Sequence, residues 1–246
     1  MKKIVITSDK YSFCLDGFQK QVEKYWKGAE FEIMGFNEPK LQLFPSFHFK
    51  SFGEGFSDKS DWSDFLNPYF QNLEEDYFFL CFEDHFLIEE VNQEFMTRAE
   101  KIMEEDKTVE KIRMHPPYND RMSLEKYDEH FSLGFTGPHT YIATSLRPAI
   151  WRKNLFLKLL NNTNVKIRTP HEFEIYNDRI KIETKVLIPH LKKPIFPDLD
   201  AMRQGKINPL AEKKGNVDMD YYQLNLSEED FQIFEETKKM WDNVLR

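Results

Sequence analysis

The sequence has little of several features, and each shortage excludes a class of protein. Only two of its 246 residues are cysteines, Cys14 and Cys81, which excludes a disulfide-rich scaffold and indicates two buried thiols in a reducing compartment. It has no signal-like leader and no run of about 18 apolar residues, so we expect a cytoplasmic chain without a membrane span. It has no cluster of Lys and Arg, and its formal net charge is −8, which disfavours a protein that grips a nucleic-acid backbone.

Several catalytic and phosphate-binding motifs are also absent. The sequence contains no G-x-x-x-x-G-K-[ST], no G-x-G-x-x-G after a strand, no G-x-S-x-G and no paired C-x-x-C. Catalysis by a nucleophilic serine or cysteine therefore has no support in the sequence.

An apolar run with three reactive side chains at its end is the most informative stretch of the chain. Tyr77–Phe82 contains six uncharged residues and is followed directly by Glu83, Asp84 and His85. A run of this length predicts a strand buried on both faces of a parallel sheet. Open α/β sheets bind their ligands at the carboxyl ends of such strands, so the triplet is the leading candidate for a functional site.

The predicted elements before this triplet alternate in type. In chain order they are a strand, a helix, a strand, a helix and the central strand, over Lys3–Asp9, Phe18–Trp26, Phe31–Phe36, Trp62–Phe70 and Tyr77–Phe82. This alternation favours an α/β fold with a mostly parallel sheet flanked by helices. We expect residues 1–193 to form a single domain. Residues 194–246 are expected to form a C-terminal loop and an amphipathic helix that packs on this domain or on a partner subunit.

The rest of the chain yields weaker predictions. Irregular segments are expected over Asn37–Trp62 and Pro194–Asn216, and strands over Val109–Met114, Tyr141–Ala143 and Ile180–Ile188. Helices are expected from Ile88 to Glu105, from Pro148 onward with Trp151 included, and after a cap at Thr169. A final helix is expected from Ser227, with Asp230 in the capping-box position.

Glu83, Asp84 and His85 have the chemistry to hold a divalent metal together with a phosphate. Carboxylate oxygens and an imidazole suit Mn²⁺, whereas Mg²⁺ prefers oxygen ligands only. The structural alternative is an acidic run that solvates the end of a strand or begins the next helix, where acids favour the helix dipole. The residues by themselves leave both interpretations open.

Four short blocks carry a resemblance to a known family. They are Ile4–Asp9, Tyr77–His85, Thr144–Arg152 and Pro170–Glu174. On these blocks, which span roughly residues 1 to 180, the chain resembles glycosyltransferases of the GT-A fold. The resemblance implies a Rossmann-like fold that binds a nucleotide sugar, with a D-x-D-type motif that holds a divalent cation on the donor's diphosphate. Here that motif reads Glu83-Asp84-His85, so its first and last positions depart from the family pattern.

The resemblance implies the roles of Thr7, Ser8, Asp9, Glu83, Asp84 and His85 below. The other candidates rest on their chemistry, because a diphosphate needs cationic partners, and His139 could be either a metal ligand or an acceptor contact. The candidates for donor binding are Thr7, Ser8, Asp9, Lys59, Glu83, Asp84 and Arg147. The candidates for metal binding are Asp84, His85 and His139, with Mn²⁺ or Mg²⁺ as the cofactor. Trp62 and Arg152 are further candidates for sugar and phosphate contacts. Each residue also has a plainer interpretation as a polar turn, a solvated charge or a packed ring.

The family pattern places the base that deprotonates the acceptor hydroxyl near the start of a later helix, where two carboxylates are available. Glu172 stands in the capping-box position of the helix that Thr169 caps, so it has a structural explanation. Glu174 projects about 200° away around that helix and has no such explanation, so we rank it before Glu172. A Glu174 base implies direct attack and inverted stereochemistry.

The implied function is transfer of a sugar from a nucleotide-diphosphate-sugar donor to the hydroxyl of a glycan or a small molecule. The net charge disfavours a nucleic-acid acceptor. One alternative is a sugar nucleotidyltransferase, which needs a glycine-rich, lysine-containing phosphate loop where this chain has Ser8-Asp9-Lys10-Tyr11. A second alternative is a non-catalytic nucleotide- or glycan-binding or assembly protein on the same fold. A homo-oligomer formed through the terminal helix is also left open.

Overall fold

The computed structural model describes residues 1–117, 123–137, 140–161, 166–179, 183–191, 193–203, 206–208, 215–219 and 222–244. Its main feature is a nine-stranded sheet. In spatial order the strands are β3 (Phe47–Ser51), β2 (Phe31–Gly35), β1 (Lys2–Ile6), β4 (Tyr77–Phe82), β9 (Ala149–Arg152), β6 (Val109–Arg113), β10 (Lys185–Pro189), β8 (Phe131–Gly134) and β7 (Ser123–Lys126). Seven strands run in one direction, and β8 and β9 run against them. The predicted mostly parallel α/β sheet is confirmed.

Helices cover both faces of this sheet. They are α1 (Cys14–Tyr25), α2 (Trp62–Gln71), α3 (Gln93–Glu105), α4 (Lys153–Leu160), α5 (Pro170–Asp178) and α6 (Glu228–Val244). Residues of α1, α3 and α6 share one buried core with Phe79, and residues of α2, α4 and α5 share a second core with Phe78. Consecutive side chains of β4 thus enter different cores, which explains why Tyr77–Phe82 is apolar throughout.

The prediction that Asn37–Trp62 is irregular is wrong for the middle of this segment, where β3 forms the edge strand of the sheet. β3 runs parallel to β2, and Phe47 stacks on Phe31 with ring centroids 5.7 Å apart. Phe47 is buried, whereas His48 and Lys50 are exposed. An edge strand with one buried side chain and polar neighbours has too short a pattern to be distinguished from a loop.

The predictions for residues 141–152 are also wrong. Residues 141–143 form no strand, and Trp151 lies in β9 rather than in a helix, which begins only at Lys153. All four residues of β9 are buried because it lies between β4 and β6. A short strand buried on both faces lacks alternation, so its periodicity cannot separate it from a buried helix.

Two further predictions hold only in part. The stripe from Ile88 to Glu105 is helical from Gln93, because the Asn92 side chain caps α3 by accepting from the Phe95 amide. Of the predicted strand Ile180–Ile188, residues 180–182 lie outside the described residues and β10 begins at Lys185.

The predicted loop Pro194–Asn216 contains a strand that shapes the site. β11 (Asp198–Asp200) pairs antiparallel with β5 (His85–Leu87), which follows β4 after a two-residue turn. Further along, β12 (Met202–Arg203) pairs with β13 (Lys206–Ile207), and β14 (Gly215–Met219) pairs with β15 (Tyr222–Leu226). The loop prediction is therefore wrong for residues 198–200, which form part of the fold around the triplet.

The final helix packs on α1. Its start has the predicted box, because Asp230 accepts from the Ser227 amide at 3.0 Å and its own amide donates to the Ser227 hydroxyl at 3.2 Å. Phe234 contacts Phe86 with ring centroids 5.0 Å apart, and Trp241 stacks on Tyr11. These contacts bury the apolar stripe of α6 within one chain.

Both cysteines are free thiols buried in the core, as the sequence predicts. In the part of the chain that is described, no helix combines the length and the apolarity that a bilayer crossing would require.

Candidate functional site

A cleft of about 560 Å³ opens at the carboxyl ends of β1 and β4. Its walls come from the turn after β1, the segment after β4, the segment before β9 and the start of α5. The predicted site residues that line it are Thr7, Ser8, Glu83, Asp84, His85, Arg147 and Glu174. β1 and β4 are adjacent parallel strands, so residues 75 positions apart meet at one end of the sheet, where the Ser8 backbone amide contacts the Glu83 carboxylate.

The turn after β1 forms a wall whose amide groups already have carboxylate partners. The Ser8 amide donates to Glu83 Oε1 at 3.3 Å, and the amides of Asp9 and Lys10 donate to the two carboxylate oxygens of Asp58 at 3.1 Å each. The Asp9 carboxylate accepts from Asn37 and does not line the cleft. This turn therefore presents side chains, rather than a row of amides, to the cleft.

Glu83 and Asp84 form a desolvated acidic pair on the cleft floor. Burial raises the pKa of Glu83 to about 7, although hydrogen bonds from its own backbone and from Ser8 and Thr7 oppose the shift. Burial, together with the charges of Glu83 and Asp200, raises the pKa of Asp84 well above its usual range. Carboxylates in this situation are stabilised by a positive partner.

His85 is buried, and its two ring nitrogens face different partners. Nδ1 accepts a hydrogen bond from the Phe82 amide at 3.2 Å, which assigns the proton of the neutral ring to Nε2. Nε2 lies 3.9 Å from Asp200 Oδ1. Burial lowers the pKa of His85, which favours the neutral ring.

Asp198 and Asp200 are site residues that the sequence analysis missed. The pairing of β11 with β5 places Asp200 opposite His85, and Asp198 is fully buried. The signal was present, because Asp198-Leu199-Asp200 is itself a D-x-D pattern whose alternation puts both carboxylates on one face of a strand. It lies in a segment rich in proline and glycine, where no strand is expected.

Arg147 and His115 hold these two carboxylates. Arg147 Nη1 lies 2.8 Å from Asp200 Oδ1 and 3.2 Å from Asp198 Oδ2, and His115 Nε2 lies 2.8 Å from Asp198 Oδ1. Burial alone would raise the pKa of Asp198, but the neighbouring His115 ring and the Arg147 guanidinium lower it to about 2, while burial lowers the pKa of His115 itself. The buried carboxylate is therefore ionised at neutral pH.

The donor set of His85, Asp198 and Asp200 fits a divalent cation. One ligand atom from each residue lies within 4.8 Å of the others. Two ligands of one such ion, each about 2.1 to 2.5 Å from it, are separated by roughly 3 to 5 Å. The carboxylates suit Mg²⁺ or Mn²⁺, but His85 Nε2 could bind an ion only after its proton moves to Nδ1, where the Phe82 amide now donates. Asp84 lines the cleft together with His85 but does not belong to the group of three.

The two candidate bases occupy different environments on α5. Glu174 lines the cleft, is half-buried and accepts from the Leu146 amide at 2.7 Å, a local role that the sequence did not reveal. Glu172 does not line the cleft, because its carboxylate binds the backbone amide and the guanidinium of Arg168. Thr169 caps the helix by accepting from the Glu172 amide, as predicted, but the Glu172 carboxylate accepts from the Arg168 amide rather than from the Thr169 amide that a capping box requires.

Three other candidates lie elsewhere. Lys59 does not line the cleft, and its amide donates to the Ser57 hydroxyl. Arg152 is buried and donates to the carbonyls of Val109 and Met103, so its role is structural. His139 lies outside the described residues.

The remaining wall of the cleft is aromatic. Trp62 and Phe82 stack with ring centroids 6.3 Å apart, and Phe36, Phe52 and Phe65 continue the apolar surface. A cleft with aromatic rings on one side and charged groups on the other suits a ligand with a planar or sugar part and an ionic part.

No protein-family model matches this chain, and no curated protein matches it. Among solved structures, it is similar to S. aureus TarS 1-349 in complex with UDP-GlcNAc, with 13% identity over 76% of this chain and 56% of that chain, at a TM-score of 0.45. It is also similar to 4-diphosphocytidyl-2C-methyl-D-erythritol synthase from Anaerococcus prevotii, with 8% identity over 80% and 89% of the two chains and a TM-score of 0.42. A cytidylyltransferase from Leptospira borgpetersenii shows 9% identity over 81% and 80%, with a TM-score of 0.43. Similarity at this level leaves function to be argued from the chemistry of the cleft.

Proposed function

We propose that this chain is a transferase that moves a sugar from a nucleotide-diphosphate-sugar donor to an acceptor hydroxyl. One observation carries the proposal: a single cleft at the carboxyl ends of β1 and β4 gathers Thr7, Ser8, Glu83, Asp84, Arg147 and Glu174. The aromatic wall would take the base or the sugar, Arg147 would face the diphosphate, and Glu174 would accept the proton of the attacking hydroxyl.

The turn after β1 favours this proposal over a sugar nucleotidyltransferase. Such an enzyme uses backbone amides after the first strand to cradle a triphosphate. Here the amides of Ser8, Asp9 and Lys10 donate to Glu83 and Asp58. Because these amides are already paired, the alternative requires this turn to rearrange.

A divalent cation is part of the proposal. Asp198 and Asp200 would hold it, with His85 as a third ligand in its other tautomer; His85 lines the cleft, as does the neighbouring Asp84. When bound, the cation neutralises charge that develops on the departing nucleotide diphosphate. In this geometry the residues of the cleft position the donor, and Glu174 takes the proton of the acceptor hydroxyl. A Glu174 base predicts that the configuration of the transferred sugar is inverted.

The first test is a thermal-shift panel of uridine, guanosine, cytidine and thymidine diphosphates, each with and without Mn²⁺. We expect one nucleotide to raise the melting temperature by several degrees, because a ligand present at 100 times its Kd stabilises the fold by about 2.7 kcal/mol. No shift with any nucleotide would favour a binding or assembly protein without nucleotide chemistry.

The second test is donor hydrolysis or transfer with the nucleotide sugar of the base that the panel selects. Asp84→Ala should lose this activity while its circular dichroism spectrum stays unchanged. Asp16→Ala is the matched control, since Asp16 is an acid on α1 whose partner is Lys20 and which does not line the cleft. Undiminished activity in Asp84→Ala would remove Asp84 from the site.

A further inference from the structure

Arg147 occupies the oxygens that a cation would need. A single nitrogen, Nη1, bridges Asp200 Oδ1 at 2.8 Å and Asp198 Oδ2 at 3.2 Å. The other oxygen of Asp198 lies 2.8 Å from His115. In this arrangement one oxygen of the fully buried Asp198 carboxylate faces the Arg147 guanidinium and the other faces the His115 ring, and the bridged oxygen of Asp200 faces the same guanidinium.

The position of the ring proton of His85 also disfavours cation binding. His85 Nδ1 accepts from the Phe82 amide, so Nε2 carries a proton and points toward Asp200, whose Oδ1 is 3.9 Å away. All three candidate ligands therefore face a guanidinium or a ring proton. A divalent ion within about 4 Å of the guanidinium would be strongly repelled, because the site is largely shielded from water.

We propose that Arg147 and a divalent cation exclude each other at Asp198 and Asp200, so that Arg147 is an internal counter-ion that keeps the site closed to metal. The cation enters when Arg147 turns to another anion. The identity of that anion as a nucleotide diphosphate rests on the proposed function. A guanidinium binds a phosphate through two parallel hydrogen bonds, which makes the exchange of partners favourable.

This exclusion couples the two ligands of the cleft. A diphosphate that draws Arg147 away frees the carboxylates, so it should strengthen cation binding. Linkage requires the converse to hold by the same factor, and a bound cation should strengthen diphosphate binding. This mutual exclusion would suppress cation binding in the absence of a donor.

The test measures Mn²⁺ binding without any nucleotide, from the room-temperature EPR signal of free Mn²⁺ in a titration of the full chain. Arg147→Gln should bind Mn²⁺ about 10-fold or more tightly than the wild type, since it removes the positive charge at the carboxylates. Arg147→Lys keeps the charge and should bind as weakly as the wild type. Adding Asp200→Asn to Arg147→Gln should abolish the gain if the ion binds at this pair.

Arg168→Gln is the matched control. Arg168 also lines the cleft, but its side chain is 64% exposed and its partner is Glu172. Removing this charge should change the Mn²⁺ affinity by less than about 2-fold, because an exposed charge is screened by solvent.

Equal Mn²⁺ affinities for the wild type and Arg147→Gln would overturn the proposal. If Arg147→Gln folds poorly, its melting temperature is measured with and without Mn²⁺. The ion should replace the lost positive charge, so Mn²⁺ should raise the melting temperature of Arg147→Gln more than that of the wild type. A variant that stays unfolded with Mn²⁺ would also overturn the proposal. Because no nucleotide is used, a failure of the nucleotide panel leaves this result interpretable.

Discussion

Lys111→Met tests whether a buried ammonium fixes the segment that carries Arg147 into the cleft. Lys111 lies on β6 and is fully buried, and its Nζ donates to the carbonyls of Ile142, Ala143 and Ser145 at 3.2, 3.2 and 2.7 Å. The same nitrogen lies 3.8 Å from the centroid of the Trp151 ring. Methionine fills a similar volume but offers no donor, so three carbonyls would lose their partner.

The expected loss of stability follows from two opposing effects. A buried carbonyl left without a partner costs about 1 to 3 kcal/mol, and three are affected. Removing the lysine also removes the cost of burying its charge, a cost that lowers the pKa of Lys111 well below its usual range, and this change opposes the first effect. Segment 141–147 can relax toward solvent at Tyr141, which is 43% exposed. We therefore expect Lys111→Met to lower the free energy of unfolding by about 2 to 4 kcal/mol.

Urea unfolding followed by tryptophan fluorescence provides the measurement, with the slope m checked for equality between variants. Lys101→Met is the control, because the Lys101 side chain is 61% exposed and its ion pair is with Glu105 within α3. It should change the free energy of unfolding by no more than about 0.5 kcal/mol. A loss below that value in Lys111→Met would refute the assignment of Lys111 as a structural donor.

Three further predictions concern the base, one acid and one glycine. Glu174→Gln should lower kcat for donor hydrolysis about 100-fold or more, while Glu172→Gln should stay near the wild type; equal effects would reject Glu174 as the base. The pKa of Asp106 is lowered chiefly by its hydrogen bond from Lys185, so its stabilising effect is present above about pH 4 and is lost as the pH falls. Asp106→Asn should cost about 1 to 3 kcal/mol at pH 7 and progressively less below pH 4; a deficit independent of pH would contradict this. Gly17→Ala places a Cβ 2.5 Å from the Phe86 ring and should lower the melting temperature despite the better helix propensity; an unchanged value would show that the ring moves freely.

Several residues that line the cleft could be predicted because their positions depend on local sequence patterns. A six-residue apolar run predicts the strand Tyr77–Phe82, and a strand buried on both faces places Glu83 and Asp84 at the edge of a sheet. The Thr169-Pro170-His171-Glu172 pattern predicts the start of α5, which Thr169 caps. In each case neighbouring residues supply the physical cause.

The partners of the triplet could not be predicted in this way. Asp198 and Asp200 reach His85 through strand pairing between β11 and β5, which are more than 100 positions apart. β3 and β9 were missed because an edge strand and a strand buried on both faces lack the alternation that identifies a strand.

By itself, then, the sequence determined the class of fold, the position of the acidic triplet and the cap of α5, because these depend on burial patterns and hydrogen bonds within a few residues. Only the tertiary structure decided which groups face the triplet. Pairing between distant strands is selected by the whole packed sheet, and it brings Arg147 to the carboxylates of Asp198 and Asp200 and holds the proton of His85 toward them.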